Sequence, residues 1–185
     1  MEILEAIEKR RSIRRFQSKE IDIQILSKLV SLAALHTSAA NRQPLRFAIL
    51  TSENRESVHE CFQWASSVKN FKISNGQRPR AYILILSEIK SDEFVYFEAG
   101  AAATNIMLAA LQFNLSSCCL GVANQEQLAQ ILPTLNRFEI ICAIALGYPD
   151  QRSVIVPYEG SNRYYQDSKG DMCVPKKDFQ DLILA

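Results

Sequence analysis

Hydrophobic residues recur along the chain at spacings that predict helices alternating with buried strands. Apolar positions within 3–7 predict a short amphipathic helix, and those within 26–33 predict a second helix, which Asp22 can cap and which runs to about Leu35. The continuously apolar run 81–86 is typical of a strand covered on both faces. Further strands are predicted over 46–51, 115–120 and 140–146, and further helices over 53–66, 93–114 and about 125–132. This alternation predicts an α/β fold, or α+β in stricter usage, with a central sheet sandwiched by helices.

Two segments lack this periodicity. Residues 67–80 contain Asn75-Gly76 and Pro79 and are predicted to form a loop. Residues 150–172 are polar and dotted with aromatic side chains, and an isolated arm of that composition could not offset the entropy lost when it becomes ordered. We therefore expect one domain, 1–185, whose C-terminal arm, 150–185, needs another surface to pack against.

Composition narrows the classes of protein. With 185 residues, 48% of them hydrophobic, the chain can bury a sizeable core, and its net charge of +1 predicts no general attraction to nucleic acid or to an anionic membrane. The longest apolar stretch, 94–115, is interrupted by polar residues and is predicted to be a buried helix instead of a membrane span. Because residues 1–5 lack the basic and apolar regions of a signal peptide, we expect a cytoplasmic location, where the five cysteines act as small buried hydrophobic residues.

Two short polar segments carry the candidate chemistry. Residues 10–14, Arg-Arg-Ser-Ile-Arg, place three guanidinium groups and a hydroxyl together, which suits charge-assisted hydrogen bonds to a phosphate. Residues 38–43 offer the hydroxyl of Ser38 and the amides of Asn41 and Gln43, which match the alternating carbonyl and imide edge of a heterocycle. Together they indicate a phosphorylated planar cofactor, and FMN fits. The alternatives are a solvated basic helix end and an ordinary turn before Pro44.

The order of these and three further motifs resembles the nitroreductase family of flavin-dependent oxidoreductases. In that family, Arg-Arg-Ser-x-Arg-x-Phe stands near the N-terminus, and Pro-Ser-x-x-Asn-x-Gln-Pro-Trp follows it; here Thr37 and Leu45 replace the first proline and the tryptophan. The matching segments are 10–16, 37–45, Glu98-Ala99-Gly100 leading to Asn105, Cys118-Cys119-Leu120-Gly121, and Leu146-Gly147-Tyr148-Pro149. The resemblance spans essentially the whole chain.

The resemblance implies a set of FMN-binding residues. It places Arg10, Arg11 and Ser12 at the phosphate and ribityl chain, and Arg14 near the pyrimidine end of the ring, where a cation stabilises the reduced flavin. It assigns the ring-lining loop to Ser38, Ala39, Asn41 and Gln43, and a backbone amide at Leu120-Gly121 to the flavin N5 atom. Lys176 and Lys177 would return to the phosphate, although they could equally be a solvated pair.

The resemblance also implies an assembly and an activity. The C-terminal arm would embrace a second subunit, giving a domain-swapped homodimer with flavin at the interface. The implied function is an FMN-dependent oxidoreductase that passes hydride from NADH or NADPH to a nitroaromatic, quinone or similar electron-poor acceptor by a ping-pong mechanism. The alternatives are a flavin-consuming or dehalogenating relative on the same fold and a non-enzymatic flavin-binding or redox-sensing protein.

Absent motifs exclude other chemistries. The sequence contains neither Gly-x-Gly-x-x-Gly nor Gly-x-x-x-x-Gly-Lys, so it predicts neither a Rossmann dinucleotide site nor a P-loop. The two histidines, His36 and His59, are far apart in sequence and have no evident partners, which argues against a histidine-centred hydrolase and against a zinc site. We expect no metal.

Overall fold

The structure is a computed structural model that describes residues 1–89 and 92–184, without the side chain of Glu53. Its helices are α1 (Ile3–Lys9), α2 (Ile23–Ala33), α3 (Ser52–Val58), α4 (Glu93–Leu111) and α5 (Gln125–Ile131). Its strands are β1 (Leu45–Leu50), β2 (Ala81–Ser87), β3 (Ser116–Leu120), β4 (Glu139–Gly147), β5 (Ser153–Pro157), β6 (Tyr165–Gln166) and β7 (Met172–Lys176).

The central sheet has the strand order β1-β2-β4-β3, and all its neighbouring strands are antiparallel. Strand β2 lies inside the sheet, and every one of its residues is buried. Its side chains alternate between two cores: Ile83 and Ile85 belong to the core that includes α2 and α4, whereas Tyr82 and Leu84 belong to the core that includes α3 and α5. Helices therefore cover both faces of the sheet, as predicted.

Two predicted helices end early, each for a local reason. Helix α3 stops at Val58 instead of 66, because the His59 carbonyl accepts a hydrogen bond from the Trp64 indole (3.2 Å) and the chain then becomes extended at Phe62. Helix α4 stops at Leu111 instead of 114, because Asn114 adopts a left-handed conformation (φ 56°) and the amide of Leu115 bonds back to Ala110 (3.0 Å). The start of α2 follows the prediction, since the Asp22 side chain accepts from the Gln24 amide (2.8 Å).

Helix α4 is long and apolar enough to cross a membrane by length and composition. It nevertheless packs against α1, α2 and all four strands of the central sheet, and seven of its residues are buried. These contacts are those of a core helix.

The C-terminal segment contains strands that its sequence did not predict. Strands β5, β7 and β6 form a separate small sheet, in which β5 and β7 are parallel and β6 and β7 antiparallel. Their short, mixed burial pattern explains why no period was visible in 150–172. Whether this segment reaches a partner subunit stays a prediction.

Phe16 fastens the N-terminal segment to the end of β4. Its side chain is fully buried, its amide donates to the Gln77 carbonyl (2.9 Å), and its backbone pairs with Pro149. Gly147 makes room for the ring, because a Cβ atom there would lie 2.6 Å from a ring carbon of Phe16.

We therefore predict that Gly147→Ala lowers the free energy of unfolding by about 1–3 kcal/mol, the usual range for overpacking a core. Urea denaturation followed by fluorescence measures the change. Gly76→Ala is the matched control, since a Cβ atom at Gly76 meets nothing within 4 Å. Equal stability of the two variants would contradict the packing role of Gly147.

Candidate functional site

The arginine segment lies along the outer edge of β3. Ser12 pairs with Ser117 in the parallel sense, and the amide of Ile13 donates to the Ser117 carbonyl (3.0 Å). Because β3 is an edge strand and the two segments run in the same direction, Arg14 stands beside the part of β3 that leads to Gly121. The structure thus brings two of the predicted site segments together.

The guanidinium groups of this segment have no carboxylate partner in the part of the chain that the structure describes. Among residues 1–89 and 92–184, Arg10, Arg11 and Arg14 form no ion pair, and the Arg11 Nη1 atom donates instead to the Arg10 carbonyl (2.6 Å). Burial, and secondly the charge of Arg10, lowers the pKa of Arg11. Clustered cations without a counter-charge favour an anionic ligand such as a phosphate.

Arg14 presents an unused hydrogen-bond donor. Its amide donates to Gln151 Oε1 (3.1 Å), and its guanidinium lies over the Tyr164 ring, 4.7 Å from the ring centroid. The Arg14 Nε and Gln151 Nε2 atoms are nevertheless buried, and neither has a hydrogen-bond partner among the described residues. Leaving such a donor unpaired costs about 1–3 kcal/mol, so a ligand that supplies acceptors is favoured here.

The main chain is exposed at the end of β3. The Leu120 side chain is buried, whereas Gly121 is exposed, and a Cβ atom at Gly121 would meet nothing within 4 Å. The Gly121 carbonyl accepts from the Gln63 amide (3.1 Å), which fixes the backbone at this point. A flat ring can therefore approach a rigid stretch of main chain.

The second predicted segment forms a strained loop before β1. Ala40, Asn41 and Gln43 all have positive φ angles (50°, 54° and 49°), a conformation that costs L-residues about 1–2 kcal/mol each. Within the loop, Ser38 Oγ accepts from the Gln43 amide (2.8 Å) and Asn41 Oδ1 accepts from Gln43 Nε2 (3.0 Å). Strain of this kind is typical of ligand-binding loops.

The side chain of Glu98, in α4, supports this loop. The carboxylate is buried in α4 and accepts from the Ala39 amide (2.9 Å), while its other oxygen lies 3.5 Å from His36 Nε2. His36 therefore has a partner, and the expectation that it has none was wrong. Glu98 appeared there only as part of a motif, and nothing in the sequence showed that it faces the loop.

The two predicted flavin-binding segments flank opposite edges of the central sheet. The loop leads into β1 and the arginine segment lies on the outer side of β3, so four inter-strand intervals, about 19 Å in total, separate β1 from the arginine segment. No hydrogen bond or ion pair between described residues joins them. Lys176 and Lys177 lie at the end of β7, where Lys176 pairs with Pro157. Among the residues that the structure describes, no contact links these lysines to the arginines. Their role at the phosphate stays a prediction.

Other reactive side chains serve the core. His59 Nδ1 contacts the Tyr82 hydroxyl (2.8 Å), and burial lowers the His59 pKa to about 4, so the ring is neutral and structural. All five cysteines are free. Burial raises the pKa of Cys118 to about 11. Cys119 is exposed, although we expected all the cysteines to be buried. The described part of the chain contains no group of three metal-ligating residues.

Comparison with known proteins identifies the class. The family model for the nitroreductases matches residues 7–148, which span the arginine segment, the loop and Gly147. The chain belongs to the nitroreductase family. This assignment agrees with the motifs in the sequence and with the mixed helix-and-sheet architecture.

Individual relatives extend the comparison. A protein of Archaeoglobus fulgidus, provisionally named NADH dehydrogenase/NAD(P)H nitroreductase, is 27% identical over 175 residues, which cover 90% of this chain and 95% of that protein. A crystal structure from Desulfovibrio desulfuricans, provisionally described as a nitroreductase in complex with FMN, is 25% identical, with a TM-score of 0.66 over 82% of this chain and 88% of that one. The FMN-dependent nitroreductase of Clostridium difficile R20291, 21% identical, shares the fold, with a TM-score of 0.64 over 80% of this chain and 88% of its own.

Proposed function

We propose that the protein is an FMN-dependent oxidoreductase that takes hydride from NADH or NADPH and reduces a nitroaromatic, quinone or similar electron-poor compound. The single observation that carries the proposal is the edge of β3. There, three arginines and the buried Arg14 Nε atom, which have no carboxylate or hydrogen-bond partner respectively among the described residues, lie beside the exposed backbone of Gly121. Relatives described as FMN-dependent or as complexed with FMN support the choice of cofactor.

The residues of this chain would divide the work between binding and tuning. Arg10, Arg11 and Ser12 would hold the phosphate and ribityl chain, and Arg14 would direct positive charge at the pyrimidine end of the ring. The backbone at Leu120 and Gly121 would support the ring, and the loop amides would face its polar edge. When bound, FMN supplies the hydride-accepting and electron-donating chemistry.

The complete site requires two chains. Because the loop and the arginine segment stand at opposite edges of the sheet, a single ring that contacts both is best placed between the loop of one subunit and the arginines of the other. Exposed hydrophobic side chains on α1 and α4, among them Leu4 (71% exposed) and Phe97 (73%), give such a homodimer an apolar surface to bury. The C-terminal arm, 150–185, would extend the interface by reaching the partner subunit.

One pocket would serve both substrates. The sequence shows no second nucleotide-binding motif, so the nicotinamide donor and the electron acceptor must use the same face of the ring in turn, which gives ping-pong kinetics. The cytoplasmic location and the expectation of no nucleic-acid or membrane partner stay predictions.

The first prediction from the proposed function concerns cofactor binding. Arg10→Ala should weaken FMN binding by about 1.5–3 kcal/mol, roughly 10- to 150-fold, because one charged hydrogen bond to the phosphate is lost. Titration of the apoprotein followed by quenching of flavin fluorescence measures the affinity. Arg137→Ala, which removes an exposed arginine elsewhere, should leave it unchanged. Purified wild-type protein that neither carries nor takes up flavin would refute the proposed function.

A second prediction concerns Arg14 and flavin reduction. Arg14→Ala should slow the bleaching of bound flavin by NADH or NADPH by about 10²-fold, with a smaller effect on reoxidation by a quinone, since the cation stabilises the reduced ring. Stopped-flow absorbance separates the two half-reactions. Normal bleaching in the variant would contradict the assignment. Failure of both nucleotides to bleach wild-type flavin would favour a flavin carrier, and destruction of the chromophore during aerobic turnover would favour a flavin-consuming enzyme.

A third prediction tests whether the site is shared between subunits. A heterodimer of one Arg14→Ala chain and one Asn41→Ala/Gln43→Ala chain contains one intact site if the arginine and the loop come from different chains. It should therefore turn over at about half the wild-type rate, as two-fold symmetry requires. Chains carrying two different affinity tags allow its purification, and the two mutant homodimers are the controls. Activity no higher than that of the homodimers would show that each site is built within one chain.

A further inference from the structure

The loop that precedes β1 rests on a buried pair of titratable side chains. Each of the side chains of His36 and Glu98 is only 4% exposed, and His36 Nε2 lies 3.5 Å from Glu98 Oε2. Both atoms are buried, and neither has a hydrogen-bond partner among the residues that the structure describes. Glu98 Oε1, in contrast, accepts from the amide of Ala39 at 2.9 Å.

The surroundings of His36 fix where its hydrogen lies. His36 Nδ1 is 3.1 Å from the Ala33 carbonyl, which can only accept, so Nδ1 carries a hydrogen. If the ring is neutral, Nε2 then directs a lone pair at the carboxylate. Two facing lone pairs repel, and an unpaired buried carboxylate is costly. One further proton between Nε2 and Oε2 removes both problems and leaves the pair with no net charge.

We propose that His36 and Glu98 share one buried proton and that this neutral pair positions residues 38–43 for flavin. The proposal rests on the proposed function. The loop needs an external support, because three of its residues adopt the strained left-handed conformation. A carboxyl group fixed by the imidazole supplies it, through the hydrogen bond to the Ala39 amide.

A second contact between the loop and α4, an ion pair, is weaker. Arg42 Nη1 lies 2.7 Å from Asp92 Oδ2, and this pair is partly exposed. Exposed ion pairs contribute about 0–1 kcal/mol, whereas breaking a buried pair by removing one partner is considerably more damaging. The buried pair therefore dominates the placement of the loop.

Glu98→Gln is the decisive variant, because glutamine can form the same two hydrogen bonds as a protonated Glu98 although it has no acidic proton. Its oxygen can accept from the Ala39 amide, and its NH₂ group can donate to neutral His36 Nε2. We expect FMN affinity within about threefold of the wild type. Glu98→Ala, which removes both bonds, should weaken FMN binding by about 10- to 100-fold, the equivalent of one or two hydrogen bonds of about 1.4 kcal/mol each.

A flavin-independent measurement separates this proposal from the proposed function. Trypsin cleavage of the apoprotein after Arg42 reports how firmly the loop is held, since the loop itself contains the cleaved bond. Cleavage should be about 10-fold faster in Glu98→Ala than in Glu98→Gln or the wild type. If Glu98→Ala does not fold, His36→Ala takes its place: it keeps the Ala39 contact, leaves Oε2 unpaired and should change both readouts in the same direction.

The outcomes are distinct. Equal losses of affinity and of loop protection in Glu98→Gln and Glu98→Ala would overturn the shared proton, and wild-type behaviour of both variants would overturn the positioning role. If the wild type binds no flavin but its loop is protected in the expected order, the proposed function fails and the buried proton stands.

Discussion

The pairing of Ser12 with Ser117 is the contact on which the site depends. It adds the arginine segment to the free edge of β3 and thereby sets three guanidinium groups beside the Leu120-Gly121 backbone. Phe16, two residues beyond Arg14, is locked into the core against Gly147, so the segment cannot slide along the strand. The charged side chains thus project from main chain that is fixed at Ser12 and at Phe16. Preorganised binding requires such a fixed backbone.

The same rigidity explains which parts of the molecule could be predicted from sequence. Strand β2 was predicted because its side chains enter both cores, so residues 81–86 are all apolar. The end of α3 was missed, since it depends on a hydrogen bond from Trp64 to the His59 carbonyl, which propensity does not reveal. The C-terminal sheet was missed because its strands are short and half-buried, and the parallel pairing of β5 with β7 joins segments distant in sequence.

The residues of the candidate site also differ in whether the sequence could indicate them. Arg10, Arg11, Ser12 and Arg14 could be chosen as candidates from the sequence, because three arginines and a serine within five positions form a local pattern; that they bind flavin stays a prediction. Gln151 and Glu98 could not, since each gains its role from a contact over many residues: Gln151 reaches Arg14 from the far end of the chain, and Glu98 reaches Ala39 from α4. His36 appeared isolated for the same reason. Its partner lies 62 positions later and meets it only through the packing of α2 on α4.

These contacts also connect the cofactor to the stability of the fold. Buried, unpaired donors at Arg14 and Gln151, clustered cations and a strained loop all raise the free energy of the isolated chain. A ligand that binds only the folded state and satisfies those groups stabilises that state in proportion to its affinity and concentration. If the loop and the arginines meet across a subunit interface, the ligand also stabilises the dimer. Cofactor binding, folding and assembly would then be one coupled equilibrium, because the same few polar groups enter all three.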